Sequence, residues 1–169
     1  RPERLNRPLA EQDFADLKLL VRPELRRRKQ RLDCSIDGTL EGERNWPAGP
    51  IRQAVLNLLL NAAAVTAEGG RVGMQIAVTA HGLDIAISDQ GVGMPEPAKS
   101  ILTDRKIREV PRDGSGLGLW IVRKIADRVC VMKDDEIVKS GPTAQIFANP
   151  QHPYTKMLLA AESTGVPVP

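Results

Sequence analysis

The sequence predicts an α+β domain, on three observations. Apolar residues recur at helical spacing over two stretches, roughly 14–29 and 48–67. Short segments bounded by turn residues (LDCSI, RVGMQIAVT and LDIAISD) read as strands. An apolar share of 41% suffices for one core in 169 residues, and with two Phe, two Trp and one Tyr that core must be aliphatic.

Taken in order, residues 1–12 are polar, hold Pro2 and Pro8, and read as a linker. Asp13 is placed to cap a helix over about 14–29, with Phe14, Leu17, Leu20, Val21 and Leu25 as its apolar face and a kink at Pro23. LDCSI then alternates as a strand, Asp37-Gly38 signals a turn, and a short second strand is expected around 39–44. Pro47 and Pro50 pre-set the first turn of a long helix, which Gly69-Gly70 stops near Ala67. RVGMQIAVT and LDIAISD form a hairpin turning at Ala80-His81-Gly82. Residues 89–113 lack regular pattern and read as a long functional loop, followed by a helix over 114–127. VCVM and IVKS, split by Lys133 to Glu136, make a further hairpin. Pro142, Pro150 and Pro153 then punctuate a tail expected to hold two short helices.

Several function classes are disfavoured. The formal charge of +3 invites nucleic acid, yet Arg26, Arg27, Arg28, Lys29 and Arg31 cluster at one helix end, where cations suit the dipole, without aromatics to stack bases. No nucleic-acid partner is expected. Cys34 and Cys130 have no metal-ligand spacing and fit reduced thiols in a cytoplasmic protein. No apolar run approaches the roughly 18 residues of a membrane span. A P-loop, GxxxxGK[ST], does not occur in these residues.

Three signals carry the chemistry. In NLLLNA, Asn57 and Asn61 lie four apart beside the stripe Ile51, Ala54, Val55, Leu58, Ala62 and Val65, so both amides sit at the rim of a core. An amide oxygen is a competent hard ligand for Mg²⁺. In SDQGVGMP, Asp89 ends a strand and precedes Gly91 and Gly93; a carboxylate only accepts hydrogen bonds, so it receives the amine of adenine and repels the keto oxygen of guanine. In DGSGLGL, Gly114, Gly116 and Gly118 open a helix whose unpaired amides suit an anion. Before it, Lys99, Arg105, Lys106, Arg108 and Arg112 outnumber Asp104 and Glu109 in a loop suited to closing over a triphosphate. Each signal alone has a plainer reading: solvated amides, an Asp-x-Gly turn, a glycine-rich helix start, a solvated charged loop.

Their conjunction, in this order, resembles the N, G1 and G2 boxes of the GHKL (HATPase) superfamily, and within it the ATP-binding catalytic domain of two-component sensor histidine kinases. The resemblance covers roughly residues 5–125, including LLVRPELRRRKQRLDCSI. It implies a Bergerat fold, a two-layer α/β sandwich with helices on one face of a mixed, mostly antiparallel sheet. It implies ATP and Mg²⁺ as cofactors, with Asn61 as metal ligand, Asn57 as a phosphate-side contact and Asp89 as adenine reader. Gly91, Gly93, Gly114, Gly116 and Gly118 become lid hinges, with Leu117 among the nucleotide contacts. Family members that hydrolyse ATP place a Glu where Asn57 stands, and Asn cannot take a proton from water, which favours the histidine-kinase branch. The implied partners are a histidine-bearing dimerisation domain and a response regulator. Neither His81, on a turn, nor His152, in the tail, is expected to be the acceptor. Three departures stand out: no acceptor hairpin, ILTDRKIREVP in place of a phenylalanine-rich segment, and Ala64 and Val65 where many members carry larger residues.

From Ala126 to Glu162 the chain resembles instead the C-terminal end of oligopeptide/dipeptide ABC-transporter ATPases, on the segment NPQHPYTKMLLAA above all. The expected division is therefore 1–127 as ATP-binding domain and 128–169 as a tail, a hairpin plus a short helical appendage, with VCVM and IVKS completing the sheet. Two other functions stay open: a non-catalytic module binding nucleotide or protein, and a chimeric fragment of a peptide-transporter ATPase.

Overall fold

The computed structural model describes residues 7–41, 46–80, 82–91, 100–101, 122–123, 125–126, 128–133, 136–142 and 155–161. Helix α1 spans Glu11–Arg27 and α2 spans Ala48–Val65. The strands are β1 Arg31–Asp37, β2 Arg71–Thr79, β3 Gly82–Asp89, β4 Arg128–Lys133, β5 Glu136–Pro142 and β6 Thr155–Ala161. They form one sheet in the order β1-β2-β3-β6-β4-β5.

Alternation along β2 and β3 dictates how this sheet is covered. Val72, Met74 and Ile76 of β2 and Leu83, Ile85 and Ile87 of β3 are buried, while Arg71 and Gln75 are exposed. The antiparallel register sets Ile76 opposite Ile85 and Met74 opposite Ile87, so one continuous aliphatic face results. α2 lies over β2 and β3 and packs against α1, which reaches β1. Because β1 and β2 run parallel, a crossover must join them, and α2 is that crossover. The expected two layers, helices against a mixed sheet, are present.

Several elements differ from expectation. The segment before α1 is held in place: Pro8 bridges Pro47, the Leu9 N–H donates to the Trp46 carbonyl at 2.7 Å, and the Ala48 N–H donates to the Arg7 carbonyl at 3.0 Å. Leu9 and Trp46 are buried by this strap, so the core is not purely aliphatic; Trp46 and Phe14 are its largest members. Ala10, not Asp13, is the N-cap of α1. Asp13 stands one turn inside, and its Oδ2 accepts the Ala10 N–H at 2.8 Å. Of the expected apolar faces, Leu20 is 56% and Val65 46% exposed. α2 ends at Val65, earlier than Gly69-Gly70 suggested, because the buried Gln30 Nε2 donates to the Ala63 carbonyl at 3.0 Å and the Thr66 carbonyl at 2.8 Å. Residues 39–41 form no strand, and 42–45 lie outside the described residues.

Thr155–Ala161, expected within a short helix, is strand β6, parallel to both β3 and β4. A short apolar run such as MLLAA has no period that separates a buried strand from a buried helix. The decisive factor lies elsewhere: the far edge of β3 presents backbone N–H and C=O groups that need partners, and β6 supplies them. The hairpin β4–β5 joins the sheet as anticipated, but β6 stands between it and β3. With β6 in place, three of the five strand pairs among the described residues are parallel, so this sheet is mixed without being mostly antiparallel.

Candidate nucleotide site

α2 carries the asparagine pair on the flank of its buried stripe. Ile51, Ala54, Val55, Leu58 and Ala62 are inside, Asn57 is half-buried and Asn61 is exposed. The Nδ2 of Asn57 is buried and meets no hydrogen-bond acceptor among the described residues. A buried amide in that state has capacity for a ligand or an ordered water. The start of α2 is fixed to α1 by a cluster that the sequence did not announce. Asp13, 1% exposed, binds the guanidinium of Arg7 and takes a 3.1 Å bond from Arg52, which also reaches Asp16 at 3.4 Å. Burial opposes ionisation of Asp13, but bonds from Arg7, the Ala10 N–H and Arg52 outweigh it and hold its pKa below the usual carboxylate value.

β3 delivers Asp89 at its final position, half-buried, with Oδ1 accepting the Gly91 N–H at 2.8 Å. Burial pushes the Asp89 pKa up, opposed by that bond. Gly91 itself is buried against the last turn of α2: a Cβ there would stand 2.7 Å from the Val65 carbonyl oxygen and 2.8 Å from Val65 Cγ2. The turn after β3 is thus seated on the same helix that bears Asn57 and Asn61. The described part of the second signal, through Gly91, thus packs on the helix that carries the first.

The third signal, with Gly114, Gly116, Leu117 and Gly118, lies outside the described residues, as do Gly93, His81, His152 and the cationic segment 102–112. Of the helix expected over 114–127, Val122, Arg123 and Ile125 are described and helical. Arg123, 5% exposed, donates to the Ile101 carbonyl at 3.2 Å, and Ile101, Val122 and Ala126 are buried. The bond joins the two flanks of residues 102–121. Nothing in the sequence pattern singled out Arg123; a cation on the inner face of an apolar helix was the available sign.

A family model described as histidine kinase-, DNA gyrase B-, and HSP90-like ATPase matches residues 48–148. The chain belongs to this ATPase family. Within it, the signal transduction histidine-protein kinase/phosphatase MprB of Mycolicibacterium smegmatis is 32% identical over 157 residues, 89% of this chain and 30% of that protein. MprB of Mycobacterium sp. strain KMS is 38% identical over 104 residues, 58% of this chain and 20% of that protein. A solved mycobacterial sensor histidine kinase MprB is 31% identical with a TM-score of 0.52, covering 70% of this chain and 76% of that one. The catalytic domain of histidine kinase ThkA, at 22% identity and a TM-score of 0.57 over 69% of this chain and 76% of that one, shares the fold. A separate likeness is short: the peptidoglycan transport ATP-binding protein YejF of Agrobacterium fabrum is 59% identical over 49 residues, 29% of this chain and 9% of that protein. As an ATPase-family member, the chain thus spans 20–30% of the length of these curated MprB relatives.

Proposed function

We propose that this chain is the ATP-binding catalytic module of a sensor histidine kinase, binding Mg-ATP and passing the γ-phosphoryl to a histidine on a separate dimerisation domain. One observation carries the reading: Asp89 stands at the end of β3 with Oδ1 occupied by Gly91, in a turn seated on the Asn57/Asn61 helix. Its other oxygen is left to accept the adenine amine, a charge-assisted bond contributing on the order of 1.5–3 kcal/mol.

The donor set suits magnesium. Asn61 presents an exposed amide oxygen on the helix flank, and Asn57 adds a buried amide lacking a described partner. Mg²⁺ takes few protein ligands and supplies neutralisation of phosphate charge. In this reading Asn61 would hold the metal and Asn57 would contact phosphate. Gly91, Gly93, Gly114, Gly116 and Gly118 let backbone approach the nucleotide, with Leu117 among its contacts. Asn57 cannot deprotonate water, so hydrolysis lacks its base. An imidazole is already nucleophilic at neutral pH, and transfer to it asks the site for positioning and charge alone. The partners in this scheme are the histidine-bearing domain and a response regulator. Among the described residues no helix is long and apolar enough to cross a membrane, and the cytoplasm, with its ATP, is the proposed compartment.

Residues from about 128 onward are proposed to derive from a peptide-transporter ATPase, supported by the short YejF likeness. Without a P-loop in these residues, transport chemistry does not come with them. β4 to β6 serve instead as sheet strands.

Calorimetry with Mg-ATP on the native chain and on Asp89→Asn tests nucleotide binding. Label transfer from γ-labelled ATP to an added acceptor-histidine hairpin tests the kinase step. Binding without transfer leaves a non-catalytic nucleotide module; no binding removes the reading.

A further inference from the structure

Gln90 lies between Asp89 and Gly91 and belongs to neither role assigned above. The β2–β3 register pairs Gly73 with Ser88 and Thr79 with Gly82. Continued two residues outward, it would set Gln90 opposite Arg71. The main-chain ladder stops short of that pair. The Gln90 side chain takes over: its Oε1 accepts the Arg71 N–H at 2.8 Å. An amide donor fixes which end of the Gln90 carboxamide faces it, because only the oxygen accepts. The backbone of Gln90 is thereby released from the sheet and turns toward α2. There its N–H meets the Oγ1 of buried Thr66 at 3.4 Å, and Gly91 follows onto Val65. Gly70 permits this closeness. A Cβ on it would stand 2.5 Å from Thr66 Cγ2 and 3.2 Å from Gln90 Oε1.

We propose that Gln90 and Thr66 are positioning residues that set where the Asp89 carboxylate stands, and so determine how sharply the site separates a 6-amino from a 6-keto purine. The inference rests on the nucleotide reading above. Asp89 is the last residue of β3, and the ladder alone would carry the chain straight on past it. The Gln90–Arg71 bond ends the strand at one fixed point, and the Thr66 contact fixes the direction in which the chain leaves. Recognition through a single carboxylate oxygen requires placement to about half an ångström. Loosening the turn therefore erodes discrimination before it erodes binding, since base stacking and phosphate contacts tolerate small shifts and a directed hydrogen bond does not.

The test compares ATP with inosine triphosphate, each with Mg²⁺, by calorimetry at pH 8. The proteins are the native chain, Gln90→Leu, Gln90→Glu and Thr66→Val. Gln90→Leu removes the acceptor at nearly constant shape, whereas Gln90→Glu keeps an oxygen for the Arg71 N–H. The expected result is a preference for ATP in the native chain that falls about tenfold in Gln90→Leu and returns in Gln90→Glu, with Thr66→Val showing a smaller fall. A general structural role would weaken both nucleotides together; an unchanged ratio in Gln90→Leu and Thr66→Val overturns the proposal. Should Gln90→Leu fail to fold, Thr66→Val decides by the same criterion. A native chain that binds neither nucleotide overturns the functional reading, and this inference with it. Preference in the native chain with no change in the variants overturns the inference alone.

Discussion

Gly91 and Val65 approach so closely that any side chain at 91 would begin 2.7 Å from the Val65 carbonyl oxygen. The obstacle is backbone, not the end of a movable side chain, so the turn itself must shift. We expect Gly91→Ala to lower stability by about 1–3 kcal/mol. ATP affinity should fall further than that strain explains, because Asp89 moves with the turn. Thermal melts alongside calorimetry would check this, and an Ala variant binding ATP as the native chain does would separate the contact from the site.

Asp89 carries an electrostatic cost that its proposed role explains. Burial raises its pKa, so the folded state holds its proton more tightly than the unfolded chain does. From the ordinary value of 3.8 upward, rising pH therefore withdraws stability until the raised pKa is passed. Asp89→Asn keeps an oxygen for the Gly91 N–H and removes the charge. It should be more stable than the native chain at neutral pH while binding ATP roughly 10–100-fold more weakly. Chemical denaturation across pH would show the two curves converging in acid; a variant less stable at pH 7 refutes the assignment.

Asp13 behaves in the opposite sense. Its lowered pKa means that its contribution is complete above the ordinary value of 3.8 and is lost as pH falls through the depressed one. Asp13→Ala removes the partner of Arg7 and Arg52 and the acceptor for the Ala10 N–H together. A loss of about 3 kcal/mol is expected, near the low end for breaking a buried pair because both arginines reach solvent. Denaturant midpoints at pH 7 and pH 3 should differ less in the variant than in the native chain.

Strand β6 pairs residue by residue with β3, Leu83 with Thr155 through Asp89 with Ala161. Truncation after Pro142, the last residue of β5, would leave β3 with one bare edge. Hydrogen exchange in 83–89 should then speed markedly, while exchange in 72–78, held between β1 and β3, should speed little or not at all. Unchanged protection in β3 would mean that β6 does not hold that edge.

Much of the fold near the site was legible because burial there follows simple periods. The alternation over Val72 to Ile87 marks both ends of β2 and places β3 to within one residue, because it matches a half-buried hairpin. Asn57 at the rim of the α2 stripe also followed from helical spacing. What escaped notice were partners distant in sequence. Gln30 reaches carbonyls 33 and 36 residues away, and no local pattern marks a polar side chain as a helix cap at that range. Trp46 sits inside because a strap from Leu9 covers it, and β6 is a strand because β3 offers an edge. Periodicity alone puts Leu20 inside, but the packed stripe of α1 is narrower. Asp13 looks like a cap in the sequence because its carboxylate does serve the helix start, but from the third helical position.

The arrival of β6 between β3 and β4 has a consequence for how the protein is made. β3 and β4 both precede β6 in the chain, so the sheet cannot close at its centre until residues 155–161 have been made. Closing it demands a parallel insertion across a long span of chain, among the slower events in folding. Until then the facing edges of β3 and β4 are open to any extended strand, and chaperone demand should follow the synthesis of β6 more than that of the helices.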